Sequence, residues 1–225
     1  MFGKFLRIVG IVLLGLTAVI TLLSGVGTTC VALDAAQFGM DSLASYQWLY
    51  IFYVAAGIVI GALGIWATVG LIKSQNGAYR LSLIALILGL LTGGLHMATS
   101  RALRGSSMPT DFIVYATILT LVVFLLFRTP GIWNRLNLTS QDDDVTGIGA
   151  GVALIVGGTA VLTAHYWASL DHMIAGINQA DVWHRQFMII GWLAVVPGVV
   201  LLATNVLEIS LRSTLHRAFH PKSSL

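Results

Sequence analysis

Two histidines, His96 and His165, stand toward the same end of separate apolar segments, each above glycines on its own helical face. Gly93 and Gly89 fall three and seven residues before His96, and Gly158 falls seven before His165. Measured at about 1.5 Å per helical residue, His96 lies about 24 Å from Arg80 and His165 about 28 Å from Thr146, so the two reach similar depth. Flat glycine surfaces beneath paired imidazoles suit a porphyrin held between helices with two axial histidine ligands. Arg101 and Arg104 lie just beyond His96, where guanidinium groups pair with carboxylates such as haem propionates. The expected cofactor-binding set is therefore His96, His165, Arg101 and Arg104 around one b-type haem. Each element has a plainer reading: histidines solvated near an interface, glycine faces that pack helices, and arginines paired with Asp111, Asp41 or Asp34.

A second constellation could hold a non-haem metal, with Cys30, Asp34, His172 and His184 as its candidates and Met40, Met97, His165 and Asp171 beside them. Sulfur with imidazole suits copper, and carboxylate with imidazole suits zinc or iron. Spacing argues against one ion. His165 and His172 are seven residues apart, about 10 Å along a helix, whereas metal bonds are about 2 Å. Cys30 is the sole cysteine, so an internal disulfide is excluded and a small apolar packing role is its ordinary use. His184 beside Trp183 reads equally as an interfacial residue. Asp142, Asp143 and Asp144 precede an apolar helix, where carboxylates favour the helix dipole over a metal triad.

No nucleophile stands in a recognisable relation to a base: G-x-S-x-G and S-x-x-K are absent, as are phosphate loops and dinucleotide fingerprints. The residues thus point away from an enzyme.

The elements that would position these groups follow from hydropathy. The chain has 225 residues, 57% hydrophobic and 9% charged, against about 25% charged in soluble domains. A hydrocarbon core about 30 Å thick needs about 20 helical residues, and uncharged runs of about that length recur. They predict a single all-α integral membrane domain over 1–225, a bundle of six transmembrane helices at approximately 8–33, 46–72, 80–100, 109–128, 147–170 and 186–208. Runs such as Leu83–Leu88 do not alternate, which excludes barrel strands. The first run follows Lys4 and Arg7 but is too long for a signal peptide and has no A-x-A site, so it is expected to remain as helix one.

Orientation follows from the basic residues. With the first residues inside, Lys4, Arg7, Lys73, Arg80, Arg128, Arg135, Arg212, Arg217 and Lys222 face the cytoplasm, and only Arg101, Arg104 and Arg185 lie outside. That bias predicts both termini inside and makes the net charge of +3 a topology signal and not a nucleic-acid footprint. The expected address is the cell inner (plasma) membrane, multi-pass. Asn76-Gly77 predicts a tight turn, and Thr129-Pro130-Gly131 a break after the fourth span. Three G-x-x-x-G pairs, Gly57/Gly61, Gly89/Gly93 and Gly147/Gly151, predict close helix contacts. Tyr46, Trp48, Tyr50, Tyr53, Tyr166, Trp167 and Trp183 read as an outer aromatic belt, and Trp133 as an inner anchor.

The function these features support best is that of a non-enzymatic accessory subunit, or a small-molecule- or lipid-binding component, of a membrane complex. Its expected partners are the lipid bilayer and other membrane subunits, with no nucleic acid. The alternative is a b-haem or metal-binding electron-transfer protein, and a solute transporter ranks third, because no Asp, Glu, Lys or Arg sits mid-bundle.

Overall fold

Arg7 organises one end of the molecule, because a guanidinium only 2% exposed must find acceptors and here it finds them on another helix. In the computed structural model, which describes residues 2–38, 40–136, 143–168, 173–174 and 177–219, Nη2 of Arg7 donates to the carbonyls of Leu71 (3.0 Å) and Ile72 (3.3 Å) and to Oγ of Ser74. These carbonyls close the second long helix, so a residue in the first caps the C-terminus of the second.

The elements run α1 (Phe2–Leu33), two 3-10 turns (Ala36–Phe38 and Asp41–Tyr46), α2 (Gln47–Ile72), α3 (Ala78–Arg104), α4 (Thr110–Phe127) and α5 (Pro130–Leu136). They continue with α6 (Asp143–Leu162), α7 (Ala164–Ala168), a two-residue hairpin of β1 (Met173–Ile174) on β2 (Ile177–Asn178), α8 (Gln179–Val182) and α9 (His184–Phe219). Among the described residues, five stretches are long and apolar enough to cross a membrane: Phe2–Leu33, Asp41–Ile72, Ala78–Arg104, Thr110–Phe127 and His184–Glu208. That architecture fits a membrane protein.

The expected fifth span is where sequence and structure differ. Its helix, α6, ends at Leu162, and the chain turns at Thr163 before α7 instead of continuing to 170. Oγ1 of Thr163 donates to the carbonyls of Thr159 (2.8 Å) and Ala160 (3.2 Å), satisfying acceptors that another helical turn would have used. Elsewhere the predicted breaks stand. Gly77 takes φ +85° at the start of α3, a conformation open to glycine, and Pro130 opens α5 where its missing N–H costs nothing.

Packing divides the helices into two groups joined by α1. One is a four-helix bundle in which α2 packs on α1 and α3, and α4 on α3 and α1. The other is the α6–α9 pair, held to the bundle mainly through α6 on α1. Ile11 and Leu14 of α1, Ala67 and Leu71 of α2, Leu86 of α3 and Phe124 and Phe127 of α4 form the core at the Arg7 end. Tyr79 closes this core from α3, its hydroxyl donating to the Phe124 carbonyl (2.6 Å) and its ring meeting Trp133 of α5, over which Arg128 lies at 4.6 Å.

Midway along the bundle, Thr17 and Thr120 share a buried hydrogen bond of 2.8 Å. Thr120 also donates to the Ala116 carbonyl, which leaves Thr17 as the donor between the two. Such bonds in apolar surroundings are worth about 0.6 kcal/mol and at most about 1.7. Thr17→Val and Thr120→Val are each expected to lower the thermal midpoint, and the double variant to cost less than the sum. Strict additivity in that cycle would show that the two hydroxyls do not stabilise each other.

Candidate functional site

Beyond the Thr17–Thr120 contact a cavity of about 40 Å³ lies among the four helices. Its wall carries Thr21, Ser24 and Thr28 from α1, Tyr53 from α2, Thr92 and His96 from α3, and Thr110 from α4, with Gly57, Gly89 and Gly93 between. Helical periodicity explains the assembly. Thr17, Thr21, Ser24 and Thr28 recur at intervals of four, three and four, one stripe of α1, and Thr92, His96 and Thr99 recur at four and three on α3.

His96 is the most constrained member. It is 9% exposed, stacked on Tyr53 with ring centroids 4.5 Å apart and set edge-on to Tyr50 at 5.4 Å. Both tyrosine hydroxyls are engaged on α3 itself, Tyr50 with Ser100 and Tyr53 with Thr99, each at 2.9 Å. The rings are therefore locked by their own hydrogen bonds, and the imidazole is held as the third layer. Among the described residues none hydrogen-bonds to His96, whose imidazole lines the cavity.

The hydroxyls have a defined polarity. Thr21 donates to the Thr17 carbonyl (2.7 Å) and Thr28 to the Ser24 carbonyl (2.8 Å), so these two oxygens are left as acceptors. Imidazole supplies one donor and one acceptor. Among the described residues lining the cavity, none is charged. What the arrangement offers is hydrogen bonding to an uncharged molecule, without a nucleophile set against a base.

The other residues expected from sequence go elsewhere. His165 lies on α7, its Nδ1 2.7 Å from Oδ1 of Asp181 and its ring 5.2 Å from that of His184. It thus belongs to the corner between α7, α8 and α9, while His96 belongs to the four-helix bundle. The glycine faces expected to admit a porphyrin are partly filled by neighbouring side chains: a Cβ on Gly93 would meet Val114 at 3.2 Å, and one on Gly89 would meet Ile60 at 3.6 Å. Haem binding has no support in this geometry.

Arg101 bonds to Ser107 (2.9 Å) and Asp111 (2.6 Å) and Arg104 to the Met108 carbonyl (3.0 Å), tying the corner between α3 and α4. Ser107 completes this corner by donating to Asp111. Pairing with Asp111 is the plainer of the two readings given to Arg101 from sequence. Cys30 is exposed near the end of α1, and Asp34 accepts from the Gln37 N–H (3.1 Å), a local turn contact. His172 lies outside the described residues, as do the side chains of Asp143 and Asp144, which open α6. Among the described residues no three His, Cys, Asp or Glu side chains converge as a metal site.

His96, expected from the sequence to meet His165, lies instead beside Tyr53, Tyr50 and the hydroxyl stripe of α1, and that stripe is the sequence signal for the cavity. Comparison with protein-family profiles, characterised proteins and solved structures gives no match to this chain.

Proposed function

We propose that this chain is a polytopic membrane protein that binds a small molecule in the His96 cavity, a non-enzymatic component and not a catalyst. The observation that carries the reading is the cavity itself: a buried imidazole, without a hydrogen-bond partner among the described residues, set among hydroxyls. Polar groups at membrane depth are costly and mark functional positions.

Its threading in this reading is six passes, with α6 as a short sixth span and both termini in the cytoplasm of a cell inner membrane. The gathering of Arg7, Lys73, Arg80, Arg128 and Arg135 at one end of the bundle, against Arg101 and Arg104 at the other, supports the orientation through the basic-residue bias.

One labelling experiment tests cavity and orientation together. In intact cells, a membrane-impermeant maleimide is expected to label native Cys30 from outside. In a Cys30→Ser background, Ser24→Cys is expected to react with the small neutral reagent methyl methanethiosulfonate while the protein remains monodisperse. Labelling of Cys30 only after permeabilisation would invert the topology, and an unreactive residue 24 in folded protein would end the cavity reading.

A further inference from the structure

Resting on the cavity reading, we infer that the site selects an uncharged ligand of about three non-hydrogen atoms carrying both a hydrogen-bond donor and an acceptor, such as a short amide, with His96 as its anchor. Size sets the first bound. A space of about 40 Å³ takes about three waters at roughly 10–15 Å³ each, which matches a ligand of about three non-hydrogen atoms.

Charge sets the second. No described lining residue carries a formal charge, and an ion moved into such surroundings without a counter-charge meets a large desolvation penalty. Arg101, at the outer corner of the same bundle, is already paired with Asp111.

Hydrogen-bond polarity sets the third. Thr21 and Thr28, which donate into their own helix, present acceptors that a donor on the ligand would meet. His96 accepts at one nitrogen and donates at the other, so the ligand must also accept. The stacking of His96 on Tyr53 fixes the imidazole plane, which makes those two directions the rigid part of the site and the hydroxyls its adaptable part. Three atoms limit the affinity to the order of millimolar at best, so the site suits an abundant solute.

Protection of residue 24 tests this. In full-length Cys30→Ser/Ser24→Cys protein in lipid nanodiscs, the rate of modification by methyl methanethiosulfonate is measured with about 100 mM formamide, methylammonium or formate. A site with affinity on the order of 10 mM predicts an about tenfold slowing by formamide and little by either ion. His96→Phe, which keeps an aromatic ring on Tyr53, is expected to abolish the slowing, and His96→Gln, which keeps a donor and an acceptor, to retain part of it. Equal or greater protection by an ion overturns the uncharged class, and protection that survives His96→Phe overturns the anchor. No protection by any probe, with residue 24 still reactive, overturns the ligand assignment and leaves the cavity reading intact. Loss of reactivity itself ends both.

Discussion

Arg7→Ala is expected to be the most destabilising single charge removal in this protein, by about 3–5 kcal/mol, the range found when one partner of a buried charged contact is deleted. The side chain is 2% exposed and its Nη2 reaches the Leu71 and Ile72 carbonyls and the Ser74 hydroxyl. A hydrogen bond to a charged group contributes about 1.5–3 kcal/mol net, and removing the donor also strands the acceptors. The last carbonyls of α2 carry the negative end of that helix, so the same substitution deletes a favourable charge–dipole contact. Arg7→Lys is expected to recover only part of the loss, because an ammonium keeps the charge without the planar fork. Arg104→Ala is the control: that side chain is exposed and reaches only the Met108 carbonyl among the described contacts, so a change within about 0.5 kcal/mol is expected. Thermal unfolding of the detergent-purified variants, followed by loss of monodispersity, measures all three. If Arg7→Ala melted with Arg104→Ala, the end of α2 would not be held by α1.

Gly158→Val is expected to separate α6 from α9, at a cost of about 3 kcal/mol, the upper part of the ordinary overpacking range. A Cβ at Gly158 would stand 2.8 Å from the Gly191 carbonyl oxygen and 2.9 Å from the Val195 nitrogen, which are backbone atoms that cannot rotate away. The contact is reciprocal, since a Cβ at Gly191 would meet the Gly158 carbonyl at 3.0 Å. Two turns along, Gly151 and Gly198 repeat it, a Cβ on either falling 2.9 Å from the other's carbonyl oxygen. Because α9 packs chiefly on α6, the pair is expected to open while the four-helix bundle stays folded, so limited proteolysis should cut α9 first. Gly94→Ala is the control: nothing lies within 4 Å of its Cβ position, and alanine is the better helix former by about 1 kcal/mol. Equal melting and proteolysis of these two variants would mean that the helices do not meet through Gly158.

Gly57/Gly61, Gly89/Gly93 and Gly147/Gly151 are indistinguishable as sequence motifs, yet they do three different things. A Cβ on Gly57 would meet Gly25 of α1 at 3.0 Å and one on Gly61 the Leu22 backbone at 2.6 Å, so these glycines make a backbone-to-backbone seam. Gly147 and Gly151 seat α6 on α9, against Asn205 and Gly198. Gly89 and Gly93 keep looser contacts and line the cavity under His96. A motif records that a backbone can be approached, and its partner is chosen by packing.

The helices and most of their ends were legible because hydropathy, turn glycines and proline act within a few residues. Expected spans of 46–72, 80–100 and 109–128 meet observed helices of Gln47–Ile72, Ala78–Arg104 and Thr110–Phe127. The stop at Thr163 was not, since a threonine hydroxyl can bond its own helix without ending it. His165 moved with that stop, from the depth of His96 on a continuous helix to the corner with Asp181 and His184.

By itself, then, the sequence determined a largely helical apolar chain, most of the places where its helices break, and a histidine worth attention. Tertiary structure alone decided that α1 sits between two helix groups, that Arg7 caps α2, and that His96 faces hydroxyls from α1 and α4 instead of His165. The reason is physical: apolarity and backbone conformation are local quantities, whereas the partner of a polar group is chosen among residues distant in sequence, as with Thr17 and Thr120, by which faces pack together.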